Sequence, residues 1–287
     1  MQKIKIIECP RDAMQGLKRF IPTEDKIMYV NSLLGVGFDT IDVGSFVSPR
    51  AVPQMADTAE LLNRIDLSNS KSKLLTIVAN LKGAQRAVEF EEIFFLGYPF
   101  SISETFQMRN TNATIEESLS RLHDINDLCI AKNKKLVVYI SMGFGNPYGD
   151  PWSSSLVTDW SLRLREELKV EILSLSDTVG SASVETIKSV FDEIMPNVNG
   201  FEIGAHLHAT PNEWQLKVNA ALESGCHRID GAIRGLGGCP FATDTLTGNL
   251  PTEEMVAWLD SRGFETGLNI EKLAESVLIA KQIFSNL

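Results

Sequence analysis

Two histidines one residue apart, in the segment Gly204-Ala205-His206-Leu207-His208, carry the densest chemistry in this chain. The chain has only four histidines, and these two close what reads as a β-strand. Alternate residues of a strand point to one face, so both imidazoles are offered to the same space. Two neutral imidazoles side by side are a ready pair of ligands for a divalent metal. The competing reading is a partly buried polar pair at a strand end.

Other chemistry-bearing residues recur at the ends of strand-like runs. The first run ends at Glu8-Cys9-Pro10-Arg11-Asp12. The second contains Asp42 and continues into Gly44-Ser45-Phe46. Further along stand Tyr139-Ile140-Ser141, Ser174-Leu175-Ser176-Asp177-Thr178, and Gly235-Leu236-Gly237-Gly238-Cys239-Pro240. Any one of these could simply cap the next helix. Their recurrence at the same end of strand after strand points to a shared site.

The elements that must position them follow from hydrophobic patterning. Eight apolar runs read as strands: Ile4–Ile7, Thr40–Val43, Leu74–Val78, Ile93–Leu96, Leu136–Ile140, Ile172–Leu175, Phe201–Ala205 and Arg228–Gly231. Helical patterns separate them. One opens at Thr23-Glu24-Asp25, with Thr23 as its cap, and runs through Ile27, Val30, Leu33 and Leu34. Thr114-Ile115-Glu116-Glu117 is a capping-box signature leading into Leu119, Leu122 and Ile125. Thr252 and Asn269 open two late helices. Eight such units predict a TIM (β/α)8 barrel with extra C-terminal helices at about 252–287, all in one domain. In that fold chemistry collects where strands end and βα loops begin. A doubly wound open sheet is the alternative, but no glycine-rich dinucleotide fingerprint follows the first strand.

Composition narrows the function classes. The 287 residues carry a formal net charge of −10, which disfavours nucleic acid as a partner. No run of eighteen apolar residues predicts a membrane span. The opening Met1-Gln2-Lys3-Ile4-Lys5 lacks the apolar core of a signal peptide, so the expected compartment is the cytoplasm. The four cysteines, Cys9, Cys129, Cys226 and Cys239, show no paired spacing and read as free thiols.

With these segments assembled, the chain resembles the 3-hydroxy-3-methylglutaryl-CoA lyase family of metal-dependent TIM barrels. The resemblance runs from about residue 4 to about residue 280. It is carried by Pro10-Arg11-Asp12 with Gln15, Ser45-Phe46-Val47-Ser48-Pro49, Val52-Pro53-Gln54-Met55, Asn80-Leu81-Lys82-Gly83, Ser176-Asp177-Thr178, His206-Leu207-His208, Gly237-Gly238-Cys239-Pro240 and Gly248-Asn249-Leu250. Arg-Asp and His-x-His are shared with related carbon–carbon ligases, whereas Ser-Phe-Val-Ser-Pro and Gly-Gly-Cys-Pro are more specific to the lyases. The resemblance implies Asp12, His206, His208 and Asn249 as ligands of a divalent metal. It implies Arg11 and Cys239 as catalytic residues and Asp177 as an active-site acid. Asp42 stands where the family usually has Glu, and Asn110 falls where a residue contacts the CoA moiety. Departures include Ala13 after the Asp, Ala209 in place of an Asp after His-x-His, and one extra residue between Cys239 and Asn249.

The reaction so implied is a retro-Claisen cleavage of a 3-hydroxyacyl-CoA to acetoacetate and acetyl-CoA. An alcohol deprotonates near pKa ~16, so at neutral pH the gap is roughly 9 units, or about 12 kcal/mol. A bound cation supplies what a side-chain base alone does not. Oxygen-rich ligation suits Mg²⁺ or Mn²⁺, and the imidazoles also admit Co²⁺ or Zn²⁺. Arg11 could hold the thioester oxygen as charge develops, and the Cys239 thiol could protonate the enolate carbon. The base is left open among Asp42, Asp177 and His206. An acyl-CoA is the expected partner, a homodimer is compatible, and neither nucleic acid nor membrane is expected. An aldolase or acyl-CoA condensing enzyme of the same superfamily, a metal-dependent hydrolase, and a non-catalytic metal-binding paralogue are the competing readings.

Overall fold

The computed structural model describes residues 2–238 and 247–285. Eight strands close into a fully parallel barrel in sequence order. They are β1 Lys5–Glu8, β2 Thr40–Ser45, β3 Lys73–Ile77, β4 Ile93–Ser101, β5 Lys135–Ser141, β6 Ile172–Asp177, β7 Glu202–Leu207 and β8 Arg228–Gly231. β1 pairs with β8 in the register Lys5↔Arg228 to Glu8↔Gly231, which seals the cylinder. Each predicted strand is present. β4 runs to Ser101, five residues beyond the expected Leu96, because Gly97, Tyr98 and Pro99 stay paired with β5.

Helices cover the outside: α1 Pro10–Gln15, α2 Thr23–Leu34, α3 Thr58–Leu62, α4 Leu81–Ala87, α5 Glu104–Thr111, α6 Ile115–Ala131, α7 Ser154–Leu168, α8 Val184–Ile194, α9 Trp214–Glu223, α10 Thr252–Ser261 and α11 Ile270–Phe284. The Thr114 capping box forms as predicted, with both reciprocal bonds made. Asn269 caps α11 by accepting from Lys272 N. Thr23 does not cap α2. Pro22 occupies that position, and the Thr23 hydroxyl donates to Asp57 Oδ2 at 2.8 Å. The two late helices complete the ring, with α11 packed on α2 and Trp258 of α10 edge-on to Trp214 of α9.

Two apolar layers hold the barrel. Most of the core lies between sheet and helices. A separate cluster of Leu75, Phe95, Val137, Tyr139 and Ile172 takes residues from neighbouring strands and fills the interior. Gly97 makes room for it, since a Cβ there would sit 2.6 Å from Ile77 and 2.9 Å from Leu75. The N-terminal end is closed by charge: buried Arg228 donates to Asp39 at 2.9 Å, and Lys5 pairs with Glu202. The opposite end is left for chemistry.

Candidate metal centre and active-site cleft

A cleft opens at the C-terminal end of the strands. Arg11, Asp12, Asn110, Tyr139, Ser141, Ser176, His206 and His208 are among the residues lining it. Pro10 at the first turn of α1 starts that helix directly after β1. The short helix then turns Arg11 and Asp12 over the barrel mouth.

Asp12, His206 and His208 form a buried group whose ligand atoms all lie within 4.8 Å of one another. The two Nε2 atoms face each other at 3.3 Å, and Asp12 Oδ2 is 4.0 Å from His208 Nε2. Residues 248–249 run beside the end of β7. Ala209 N donates to Gly248 O at 3.0 Å, and His208 and Asn249 form an antiparallel bridge. This places Asn249 Nδ2 2.7 Å from Asp12 Oδ2, to which it donates. Gly237 passes hard against the same carboxylate's backbone. Its φ is +97°, and a Cβ would fall 2.6 Å from Asp12 O, so only glycine fits.

The electrostatics suit a cation. Burial pushes the Asp12 carboxyl up, but Arg11, both imidazoles and Asn249 outweigh it and hold it at about 2. Burial and the neighbouring His206 push His208 down to about 4, leaving it neutral and able to ligate. Burial lowers His206 too, yet its hydrogen bond and charge interaction with Asp230 raise it overall. One carboxylate, two facing imidazole nitrogens and an adjacent amide are a donor set that fits a divalent cation with positions left open toward the cleft.

Arg11 is held in a fork. Its Nε and Nη2 donate to Asp42 Oδ2 at 2.9 and 2.5 Å, and its Nη1 donates to Asp12 Oδ1 at 2.8 Å. Gln15 donates to the same Asp12 oxygen at 2.7 Å. Asp42 is fully buried beneath Arg11 and is absent from the cleft lining. Burial raises its carboxyl to about 6, against the pull of Arg11.

Two other sequence candidates fall elsewhere. Asp177 does not line the cleft. Its Oδ2 accepts from Lys217 Nζ at 2.8 Å, and both its oxygens accept from Ala182 N. Lys217 spends its remaining two protons on Gly180 O and His208 O, each at 2.8 Å. The pair therefore pins the backbone of His208 to the loop after β6. Asn110, on α5, does line the cleft. Cys239 lies outside the described residues.

Lys217→Met should destabilise the fold by about 3–5 kcal/mol, because it strands a buried carboxylate. Denaturant unfolding checks this, and an unchanged midpoint would show that Asp177 does not depend on Lys217.

Two residues that sequence reasoning missed, Asp230 and Lys217, and one it named without a role, Glu8, shape the site. Asp230 of β8 accepts from His206 Nδ1 at 3.0 Å. It reaches His206 from the neighbouring strand, 24 positions away in sequence. Glu8 is buried at the end of β1, accepting from Ile233 N at 2.9 Å and from the Thr252 hydroxyl at 2.6 Å. Burial raises its carboxyl to about 8. Lys217 is the third. An acid or lysine inside an otherwise apolar run was the available signal for each.

Fold and donor set together define a parallel barrel with side chains that could hold a metal ion gathered at its mouth. The chain belongs to the HMGL-like family, whose model matches residues 3–278. Over 276 residues it is 35% identical to the cytoplasmic 3-hydroxy-3-methylglutaryl-CoA lyase of Rattus norvegicus, covering 95% of this chain and 79% of the relative. It is 34% identical over 279 residues to the mitochondrial hydroxymethylglutaryl-CoA lyase of Gallus gallus, covering 96% and 91%. The HMG-CoA lyase of Brucella melitensis superposes with a TM-score of 0.90 at 30% identity, covering 99% of this chain and 100% of that one. A lyase from Acinetobacter baumannii, solved with coenzyme A and 3-methylmalate, also gives 0.90 at 30% identity, covering 98% and 91%. Among the described residues, no helix is long and apolar enough to cross a membrane.

Proposed function

We propose that this protein cleaves (S)-3-hydroxy-3-methylglutaryl-CoA to acetoacetate and acetyl-CoA, with Mg²⁺ or Mn²⁺ held by Asp12, His206, His208 and Asn249. The observation that supports it most is the convergence of Arg11, Asp12, His206 and His208 on one cleft wall, in a chain of the HMGL-like family. When bound, the cation lowers the pKa of the substrate hydroxyl.

The chain's own residues take the remaining tasks. Arg11 has five N–H donors, of which three are committed to Asp42 and Asp12. The two left over, one on each terminal nitrogen, are free for the thioester oxygen, where negative charge grows as the carbon–carbon bond breaks. Asp42 acts through Arg11, holding the guanidinium plane at a fixed angle. Neither Asp42 nor Asp177 lines the cleft, and His206, with one nitrogen given to the cation and the other to Asp230, is not a free base while it ligates. Val47, Val52, Ile77 and Phe106 line the apolar part of the cleft for the acyl chain. Asn110, which also lines the cleft, would meet the CoA arm, as the sequence resemblance implies. Cys239 is assigned as the acid that protonates the enolate carbon, on its sequence resemblance alone.

The test is a coupled assay for acetoacetate and acetyl-CoA with the purified chain, before and after exhaustive chelation. Turnover that disappears on chelation and returns with Mg²⁺ or Mn²⁺ is the expected result. No turnover in the metal-loaded protein would reject the substrate, and full turnover after chelation would reject the metal.

A further inference from the structure

His206 has two ring nitrogens, and the site above uses one. The other, Nδ1, turns below the cleft floor to Asp230 Oδ2, 3.0 Å away. Cys9 completes a second group there: its Sγ, a His206 nitrogen and an Asp230 oxygen all lie within 4.8 Å of one another. All three residues are buried, Cys9 and Asp230 almost fully.

The bonds inside this group leave it unsatisfied. Among the described residues, Asp230 Oδ1 is buried with no hydrogen-bond partner. Among the same residues, the Cys9 thiol makes one contact, at 4.0 Å to Ile7 O. A buried carboxylate oxygen without a donor is costly, and native folds avoid it unless something else meets it. A thiol, an imidazole nitrogen and a carboxylate are three of the four ligands of a tetrahedral site.

We propose that Cys9, His206 Nδ1 and Asp230 form a second metal site, selective for soft divalent cations such as Zn²⁺ or Cd²⁺, that shares His206 with the site above it. Sulfur ligation gives the selectivity, since Mg²⁺ and Mn²⁺ prefer oxygen. Binding releases two protons to solvent, one from the Cys9 thiol and one from His206 Nδ1. Asp230 then ligates the cation instead of accepting from the ring. The shared ring couples the two sites. An imidazole that has lost its Nδ1 proton to a cation is a different ligand at Nε2, and its orientation is set by the lower cation rather than by Asp230 alone. Occupancy below is therefore expected to inhibit turnover above. That consequence rests on the lyase reading, whereas the binding itself does not.

The experiment is a Cd²⁺ titration of the metal-free full chain, followed by the ultraviolet thiolate-to-cadmium charge-transfer band. It is run on a Cys239→Ser background to remove the other thiol of the active-site motifs. One saturating equivalent of thiolate-bound Cd²⁺ is expected, with the band lost in Cys9→Ser. Asp230→Asn should weaken binding by about 10–100-fold and serves as the second variant if Cys9→Ser fails to fold. In otherwise wild-type protein, micromolar Zn²⁺ should inhibit Mg²⁺-supported turnover, and Cys9→Ser should raise the inhibitory concentration at least tenfold. A charge-transfer band unchanged by Cys9→Ser, or no band at all, overturns the site while leaving the lyase reading intact. A Cys9-dependent band, together with no turnover in the metal-loaded chain that keeps Cys239, leaves the site standing and rejects the function.

Discussion

Arg11→Gln is expected to lower kcat by about 10²–10³ while changing KM little. The reason is geometric. Asp42 and Asp12 take three of the five guanidinium donors, and the remaining two are fixed in direction before substrate arrives. Donors aimed in advance strengthen their bond only as charge forms on the oxygen, which is the pattern that lowers kcat and kcat/KM together. Glutamine keeps two N–H donors on a single nitrogen but loses the fork and the charge. Its amide also leaves Asp42 buried without its cation. Steady-state kinetics, with a circular dichroism check on folding, reads the outcome. A loss confined to KM would make Arg11 a binding residue and remove the transition-state argument.

His208→Ala should weaken divalent-cation affinity by more than about 100-fold, beyond the loss typical of a supporting residue. His208 is the more suitable of the two imidazoles for direct ligation, because burial and His206 hold it neutral with a pKa of about 4. It has no carboxylate of its own within hydrogen-bond distance, and Asp12 Oδ2 stands 4.0 Å off. Excess Mg²⁺ or Mn²⁺ should restore part of the turnover, since Asp12, His206 and Asn249 remain. Equilibrium dialysis with Mn²⁺ measures the affinity independently of activity. An affinity equal to the wild type would take His208 out of the ligand set.

The barrel was legible because a parallel sheet is buried on both faces, so its strands are continuous apolar runs. Leu136–Ile140 and Ile172–Leu175 are of this kind, and the structure extends them by only a residue or two. The residues at the strand ends were legible for the same reason, as polar breaks after apolar runs. What the sequence did not show is which way a polar side chain turns once several strands compete for it. Asp42 and Asp177 sit at the right depth, yet Arg11 and Lys217 draw them away from the cleft. Asp230 reaches His206 only because β7 and β8 are neighbours, a relation that spacing along the chain does not encode. Thr23 and Thr252 were both read from the start of a helix. Their hydroxyls instead donate to the carboxyls of Asp57 and Glu8, which the fold brings alongside them.

The buried carboxyl of Glu8 grips Ile233 N with one oxygen and the Thr252 hydroxyl with the other. Backbone bonds from Ala232 N to Leu250 O and from Thr252 N to Ala232 O lock the same junction. The chain between residues 233 and 252 thus leaves and returns at one fixed staple, with Asn249 on the anchored side. Lengthening such a closed loop by one residue changes its closure entropy by only about 0.05 kcal/mol. An extra residue between Cys239 and Asn249 therefore costs almost nothing in closure entropy. One buried carboxyl, gripping Ile233 N and the Thr252 hydroxyl, ties together the two ends of the segment that carries Asn249.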